Sequence, residues 1–164
     1  MPNDVITLIA NVALTLSFIV AVIFGITQVR AAARDRRERL TLEALRSFET
    51  RDFAELMQYI NSREMPSSRK ELLTLPANEQ VIFVQFAQQM ETLGILVAEK
   101  LIDMDLVDKT LGSYVSTSWD KYKRFVLSLR GGDPFLAEYF QWLAERISER
   151  MEKHPRRPFN EGPS

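Results

Sequence analysis

Between Val5 and Thr27 the chain runs for 23 residues, VITLIANVALTLSFIVAVIFGIT, without one charged side chain. At ~1.5 Å rise per residue, a helix of that length reaches roughly 34 Å, enough to cross a hydrocarbon core of about 30 Å with some tilt. Thr7, Asn11, Thr15 and Ser17 punctuate the run. A helix satisfies its own backbone in lipid, and short polar side chains bond back to it. A cleaved signal peptide would open on a basic leader and carry an apolar core of only ~7–15 residues. Here Met1-Pro2-Asn3-Asp4 has no Lys or Arg, and Arg30 separates the apolar core from Ala31-Ala32-Ala33. A buried core helix would show a polar side, and this run is apolar all round. The expectation is a membrane anchor over residues 1–29.

Arg30, Arg34, Arg36, Arg37 and Arg39 come directly after the span, whereas Asp4 is the one charged side chain before it. The positive-inside bias then puts the N-terminus outside and the bulk of the chain in the cytoplasm. The five arginines are placed to meet anionic headgroups, at about 1 kcal/mol each. Nucleic acid is not expected as a partner, because Asp35, Glu38 and Glu43 dilute the charge and no stacking aromatics are interleaved. Within the span, Ala13, Ser17, Ala21 and Gly25 recur every four residues, as do Thr7, Asn11 and Thr15. Small residues at that spacing let two helices approach, and Asn11 in lipid favours a partner amide. A transmembrane pairing face of Asn11, Ala13, Ser17, Ala21 and Gly25, and hence a homodimer, is one reading. The other is that short polar residues are common in single-pass anchors.

Beyond the anchor, the chain is long enough for one small domain with a real core. It has no cysteine, so disulfides, thiolate metal sites and a cysteine nucleophile are excluded. No stretch alternates with period two, so the class expected is all-α: the transmembrane helix, its continuation as a basic juxtamembrane helix over 30–49, a compact bundle of about five or six helices over 50–153, and a disordered tail over 154–164. The first helix should run to about Phe48, with Leu40, Leu42 and Leu45 turning inward. Thr50 or Asp52 caps a helix whose Phe53, Leu56, Met57 and Ile60 share a face. Asn61–Ser68 reads as a loop, and Ser67 or Ser68, with Glu71, caps a short turn that Pro76 ends. The widest apolar stripe, including Val81, Val84, Ala87, Met90, Leu93, Gly94 and Val97, predicts a helix from Asn78 to about Lys100 at the centre of the bundle. Gly94 in it marks a close helix contact. Asp103 or Asp105 caps a short helix, Gly112–Thr117 reads as a break, and Ser118–Leu129 as a further helix. Gly131-Gly132 stops that helix, and Asp133-Pro134 starts the last one.

Residues able to do chemistry are few. The single histidine, His154, sits beside Pro155, which removes the usual hydrolase arrangements, and no phosphate-binding glycine loop is present. No catalytic, cofactor-binding or metal-binding residue is expected. Glu99, Asp103, Asp105 and Asp108 form an oxygen-rich cluster, but without the spacing of a calcium loop; helix capping explains Asp103 and Asp105, and a cation remains the alternative. Aromatic stripes at helical spacing read first as core. Phe135, Tyr139 and Trp142 fall on a second face and form a candidate partner groove, with Arg124, Arg130 and Arg146 able to rim it.

The end of the anchor at Gln28-Val29-Arg30, the arginine-rich helix, METLGILVAEKLID at Met90–Asp103, WDKYKRFVLSLR at Trp119–Arg130 and the Tyr139-Phe140-Gln141-Trp142-Leu143 run carry a resemblance. The chain resembles a bacterial family of small single-pass membrane proteins with a cytoplasmic helical domain of unknown function. That resemblance implies a bacterial or phage source and an inner-membrane location, and it brings no catalytic residues. The function expected is a membrane-tethered, non-enzymatic helical interaction module that meets an unidentified cytoplasmic protein. The alternative is an oligomerising membrane-acting effector, of the phage lysis or defence type, whose transmembrane helix perturbs the bilayer.

Overall fold

The computed structural model describes residues 2–155, with side chains from Asp4 onward. Among these residues six helices form and no strand: α1 (Pro2–Arg46), α2 (Arg51–Ser62), α3 (Arg69–Leu72), α4 (Ala77–Ala98), α5 (Met104–Leu129) and α6 (Glu138–Lys153). The all-α class is as expected. The tail beyond Pro155 lies outside the described residues. The chain divides into two units, residues up to Arg39 and residues from Leu40 on.

The first unit is helix alone. No Gly or Pro interrupts Gln28–Arg46, and its Ala, Arg, Glu and Leu are strong helix formers, so α1 continues to Arg46 and closes in the turn Phe48 N–H to Leu45 O.

The second unit is a bundle in which α6 packs against both α4 and α5. Its core is aromatic. Phe86 stacks on Tyr122 at 5.4 Å between ring centroids, and Phe140 meets Trp119 edge-on at 5.1 Å and Tyr122 at 5.9 Å. The Tyr122 hydroxyl donates to the Phe83 carbonyl at 3.1 Å, and burial holds its pKa well above that of an ordinary phenol. Phe53, Leu56, Met57 and Ile60 bury the inner face of α2, as their spacing predicts. Its cap is Thr50, whose Oγ1 accepts from Phe53 N–H. Ser68 caps α3, and Glu71 accepts from both the backbone and the hydroxyl of Ser67. Those bonds hold the Glu71 carboxyl below its ordinary range.

Several expectations change. Leu42 faces solvent, and Thr41 is buried beside Leu45 instead, its Oγ1 accepting from Asp103 N–H at 2.8 Å. α4 opens at Ala77, one residue before Asn78, after Pro76 and without a side-chain cap. Val81 and Val84 are exposed, while Phe83, Phe86, Met90, Leu93, Gly94 and Val97 carry the buried stripe. α4 therefore has a free outer side and is not enclosed by the bundle. It ends with Lys100 at φ 58°, Leu101 N–H reaching Leu96 O and Lys100 N–H reaching Val97 O. This is a left-handed helix stop usually given to glycine.

No break occurs at Gly112–Thr117. Leu111, Gly112, Val115, Ser118, Trp119 and Tyr122 keep one buried stripe through α5. The hydroxyls of Ser116, Thr117 and Ser118 bond back to the carbonyls of Gly112, Ser113 and Tyr114 within the helix. Packing of the buried stripe overrides the weak propensity, and the hydroxyls are satisfied within the helix. Asp103, not Asp105, is the cap, accepting from Asp105 and Leu106 N–H. Asp133-Pro134 does not open α6. Asp133 Oδ1 accepts from Phe135 N–H in a turn, Arg130 donates to the carbonyls of Leu136 and Ala137, and Ala137 at φ 52° redirects the chain before Glu138.

Candidate anchor helix and interaction surfaces

Every large apolar side chain from Val5 to Val29 is exposed, between 43% and 74%. In a soluble helix roughly half of them would be buried against a neighbour. The best 18-residue window in α1 has a mean hydropathy of 2.5, and none of it is buried. α4 is the second helix among the described residues that is long and apolar enough to cross a membrane, at 1.4, but its aromatic side chains are the core of the bundle. α1 is thus a long apolar N-terminal helix and the stronger candidate for a span.

The arginines are arranged around it. At 3.6 residues per turn, Arg30, Arg34 and Arg37 cluster within about 60°, and Arg36 with Arg39 lies about 160° away. All five are exposed, and Arg34 pairs with Glu38 at 2.9 Å. A helix lying flat on a bilayer gathers its cations on one flank. Cations on both sides suit a helix that passes through the headgroup layer.

The proposed pairing residues do not share one face. Ala13, Ser17, Ala21 and Gly25 drift by about 40° per step along one stripe, and Asn11 stands about 160° round from Ala13. All are exposed, and a Cβ at Gly25 would meet nothing within 4 Å. Asn11 is tied into its own helix through its carbonyl, which accepts from Thr15 Oγ1 at 2.8 Å.

In the second unit, Phe135 is 71% exposed in the turn ahead of α6, so it is not part of the helical face that carries Tyr139 and Trp142. Trp142 lines an open groove of about 710 Å³ with Val97, Ala98, Met104 and Arg146; Phe135 and Tyr139 do not line it. Nor do the three arginines form a common rim. Arg130 holds the turn before α6, Arg146 pairs with Glu149 at 3.0 Å, and Arg124 lines a separate groove with Asn61 and Lys121. Glu149, flanked by Lys153 and Arg146, is held below the ordinary carboxylate range by hydrogen bonds from both.

The carboxylate cluster also disperses. Asp103 caps α5, Asp105 pairs with Arg150, and Asp108 is buried 3.6 Å from the same guanidinium. Among the described residues, no three metal-ligating side chains converge.

Glu91 has a role that periodicity does not expose. α6 begins without a cap of its own, and the Glu91 carboxylate on α4 supplies one, accepting from Tyr139 N–H at 3.2 Å and Phe140 N–H at 2.8 Å. An anion there satisfies two orphan donors at the positive end of the helix. The readable signal was its isolation, since Glu91 is the only charge between Gln80 and Ala98. Replacing Glu91 with Gln keeps one acceptor and loses the charge. It should lower stability by about 1 kcal/mol, measured as a shift in the urea midpoint of the full chain in detergent, with tryptophan fluorescence reporting on the bundle.

No curated protein and no solved structure matches the chain. A family model does match, over residues 15–147, which takes in the apolar helix from Thr15 onward and the bundle through Ile147. The chain therefore belongs to the family described as a domain of unknown function, DUF4760.

Proposed function

We propose that this protein is a membrane-tethered helical interaction module, anchored by α1 in a bacterial inner membrane with the bundle on the cytoplasmic side. The observation that carries the reading is the fully exposed apolar circumference from Val5 to Val29, succeeded at once by arginines on two sides of the helix. An apolar surface of that extent has no stable place in water. The arginines favour the cytoplasmic headgroup layer. The bundle itself contributes packing and caps and gathers no catalytic constellation among its described residues, so its role in this reading is to present surfaces.

The full chain, expressed in bacteria, should stay in the membrane pellet through alkaline carbonate washing. Protease added to inverted vesicles should remove the bundle, and protease added to spheroplasts should leave it whole. Recovery of the intact chain in the soluble fraction without detergent would overturn the tether. The small-residue stripe with its open Gly25 favours a second reading, an oligomerising effector of the bilayer. Collapse of membrane potential on expression, abolished by Gly25→Ile and by Asn11→Leu, would establish that reading in place of a passive tether.

A further inference from the structure

The outer side of α4 is uncharged over about four helical turns. Val81, Val84, Gln85, Gln88, Thr92 and Ile95 are all exposed and fall within an arc of about 100°. None is charged, although 26% of the chain is. Charges stand on the exposed sides of the neighbours: Arg51, Asp52 and Glu55 on α2, Lys109, Asp120 and Lys123 on α5, and Glu145, Arg146 and Arg150 on α6. The uncharged stretch of α5 at Thr110, Ser113, Tyr114 and Thr117 is only about two turns long. Beside this arc lies a groove of about 360 Å³ between α4 and the end of α1, floored by Ala44, Phe48, Leu93 and Leu96. Gln85, Gln88 and Thr92 belong to both the arc and the groove, so the two are one continuous uncharged surface. In that groove the amide oxygen of Gln89 is buried with no donor among the described residues, an arrangement that disfavours the isolated bundle.

We infer that a second copy of this chain docks on this surface, α4 against α4 about a twofold axis. The inference rests on the reading of the bundle as an interaction module and names its partner. Three properties of the surface select the occupant. A charged partner would have its ions stripped of water against a face that offers no counter-charge from Val81 to Ile95, Glu99 standing at its end. A bilayer-binding face would be rimmed by Lys or Arg, and α4 contains neither. Glutamine amides each hold donors and an acceptor, so a face of them with interleaved valines complements itself under the twofold that closes a dimer. One helix face is a small interface. Two copies held in one bilayer meet at a raised effective concentration, so the contact suffices there without being strong in solution.

The chain has no native cysteine, which makes the test direct. Single variants Val84→Cys and Gln88→Cys on the arc, and Lys123→Cys on the exposed side of α5, are oxidised in native membranes as full-length protein. Disulfide-linked dimers should form at the arc positions about tenfold faster than at Lys123→Cys, the ratio expected when the contact adds about 1.4 kcal/mol to random encounter. Adding Gln88→Glu to Val84→Cys should suppress the dimer by placing like charges across the axis. Mixing that chain with a Val84→Cys chain carrying Gln88→Lys should restore it as a heterodimer. Equal rates at all three positions, or suppression that the charge-matched mixture does not relieve, would overturn the inference. Adducts to lipid-borne thiol probes at the arc, with no dimer, would overturn it in favour of a membrane contact. Fractionation of the same cells reads the tether separately: pelleted protein without an arc-specific dimer refutes the docking alone, and an arc-specific dimer of soluble protein refutes the tether alone.

Discussion

Gly94→Ala should destabilise the bundle by about 2–3 kcal/mol although it improves helix propensity. Alanine is worth ~1 kcal/mol over glycine in a helix interior, so a solvent-facing glycine would respond in the opposite direction. At Gly94 the new Cβ would lie 2.6 Å from the carbonyl carbon of Tyr139, closer still to its oxygen, and 2.9 Å from its Cβ. The first two are backbone, so no rotamer change relieves the clash. α6 must move off α4, and overpacking of that kind typically costs 1–3 kcal/mol, sometimes more. The displaced segment is the one Glu91 caps, so the hydrogen bonds to Tyr139 and Phe140 N–H lengthen with it. The measurement is urea unfolding of the full chain in detergent, tracked by tryptophan fluorescence. The chain's two tryptophans, Trp119 and Trp142, are both in the bundle, so the signal is specific to it. An unchanged or higher midpoint would show that α4 and α6 do not meet at Gly94.

Phe140→Ala should cost about 3–5 kcal/mol, the range for deleting a fully buried aromatic ring. Phe140 is 0% exposed and touches Phe86, Trp119 and Tyr122, one ring from α4 and two from α5. Removing it empties the point where three helices meet. Edge-to-face contacts worth roughly 0.5–1.5 kcal/mol beyond area burial disappear as well. Against a typical domain stability of ~5–15 kcal/mol, the loss leaves a bundle near its threshold at 37 °C. Phe140→Leu, which refills part of the space, should recover more than half of the loss. A Phe140→Ala chain with an unchanged unfolding midpoint would contradict an aromatic core centred on this ring. Trp119 emission should also shift to the red in the folded variant, because its ring loses its 5.1 Å neighbour.

Residues whose neighbours in sequence are also their partners were the easiest to read. Thr50, Ser68 and Asp103 act within three residues of themselves, so capping chemistry located them. The charge-free run before Arg30 needed only length and composition. Gly94 was legible because a glycine inside a strong helical stripe has few explanations other than close approach. The expectations that changed depend on contacts distant in sequence. α5 stays whole through Gly112–Thr117 because its buried stripe finds partners on α4 and α6. α6 starts at Glu138, not at Asp133-Pro134, because Arg130 and Glu91 hold the turn and the helix end from two different helices. Val81 and Val84 reach Met90 only by steps of three, which carry Val81 about 180° round the helix from it. Phe83 and Phe86 stay within about 40° of Met90 and find ring partners on α2 and α5. Among the candidate surfaces, Phe135 and Trp142 look like one face only if α6 extends back to residue 134. Thr41 was invisible for a similar reason, since its partner Asp103 is 62 residues away.

The place of α6 has a consequence for how the protein is made. α6, which packs against both α4 and α5, leaves the ribosome after them, whereas the apolar α1 leaves before them. From their own synthesis until that of α6, therefore, Glu91, Phe86 and Tyr122 wait without the backbone and ring that will cover them. The half-made chain holds its most adhesive surface open while its N-terminal helix is already complete. An early route for α1 into lipid would keep these intermediates apart, spread along a membrane, until α6 arrives to close each bundle on itself.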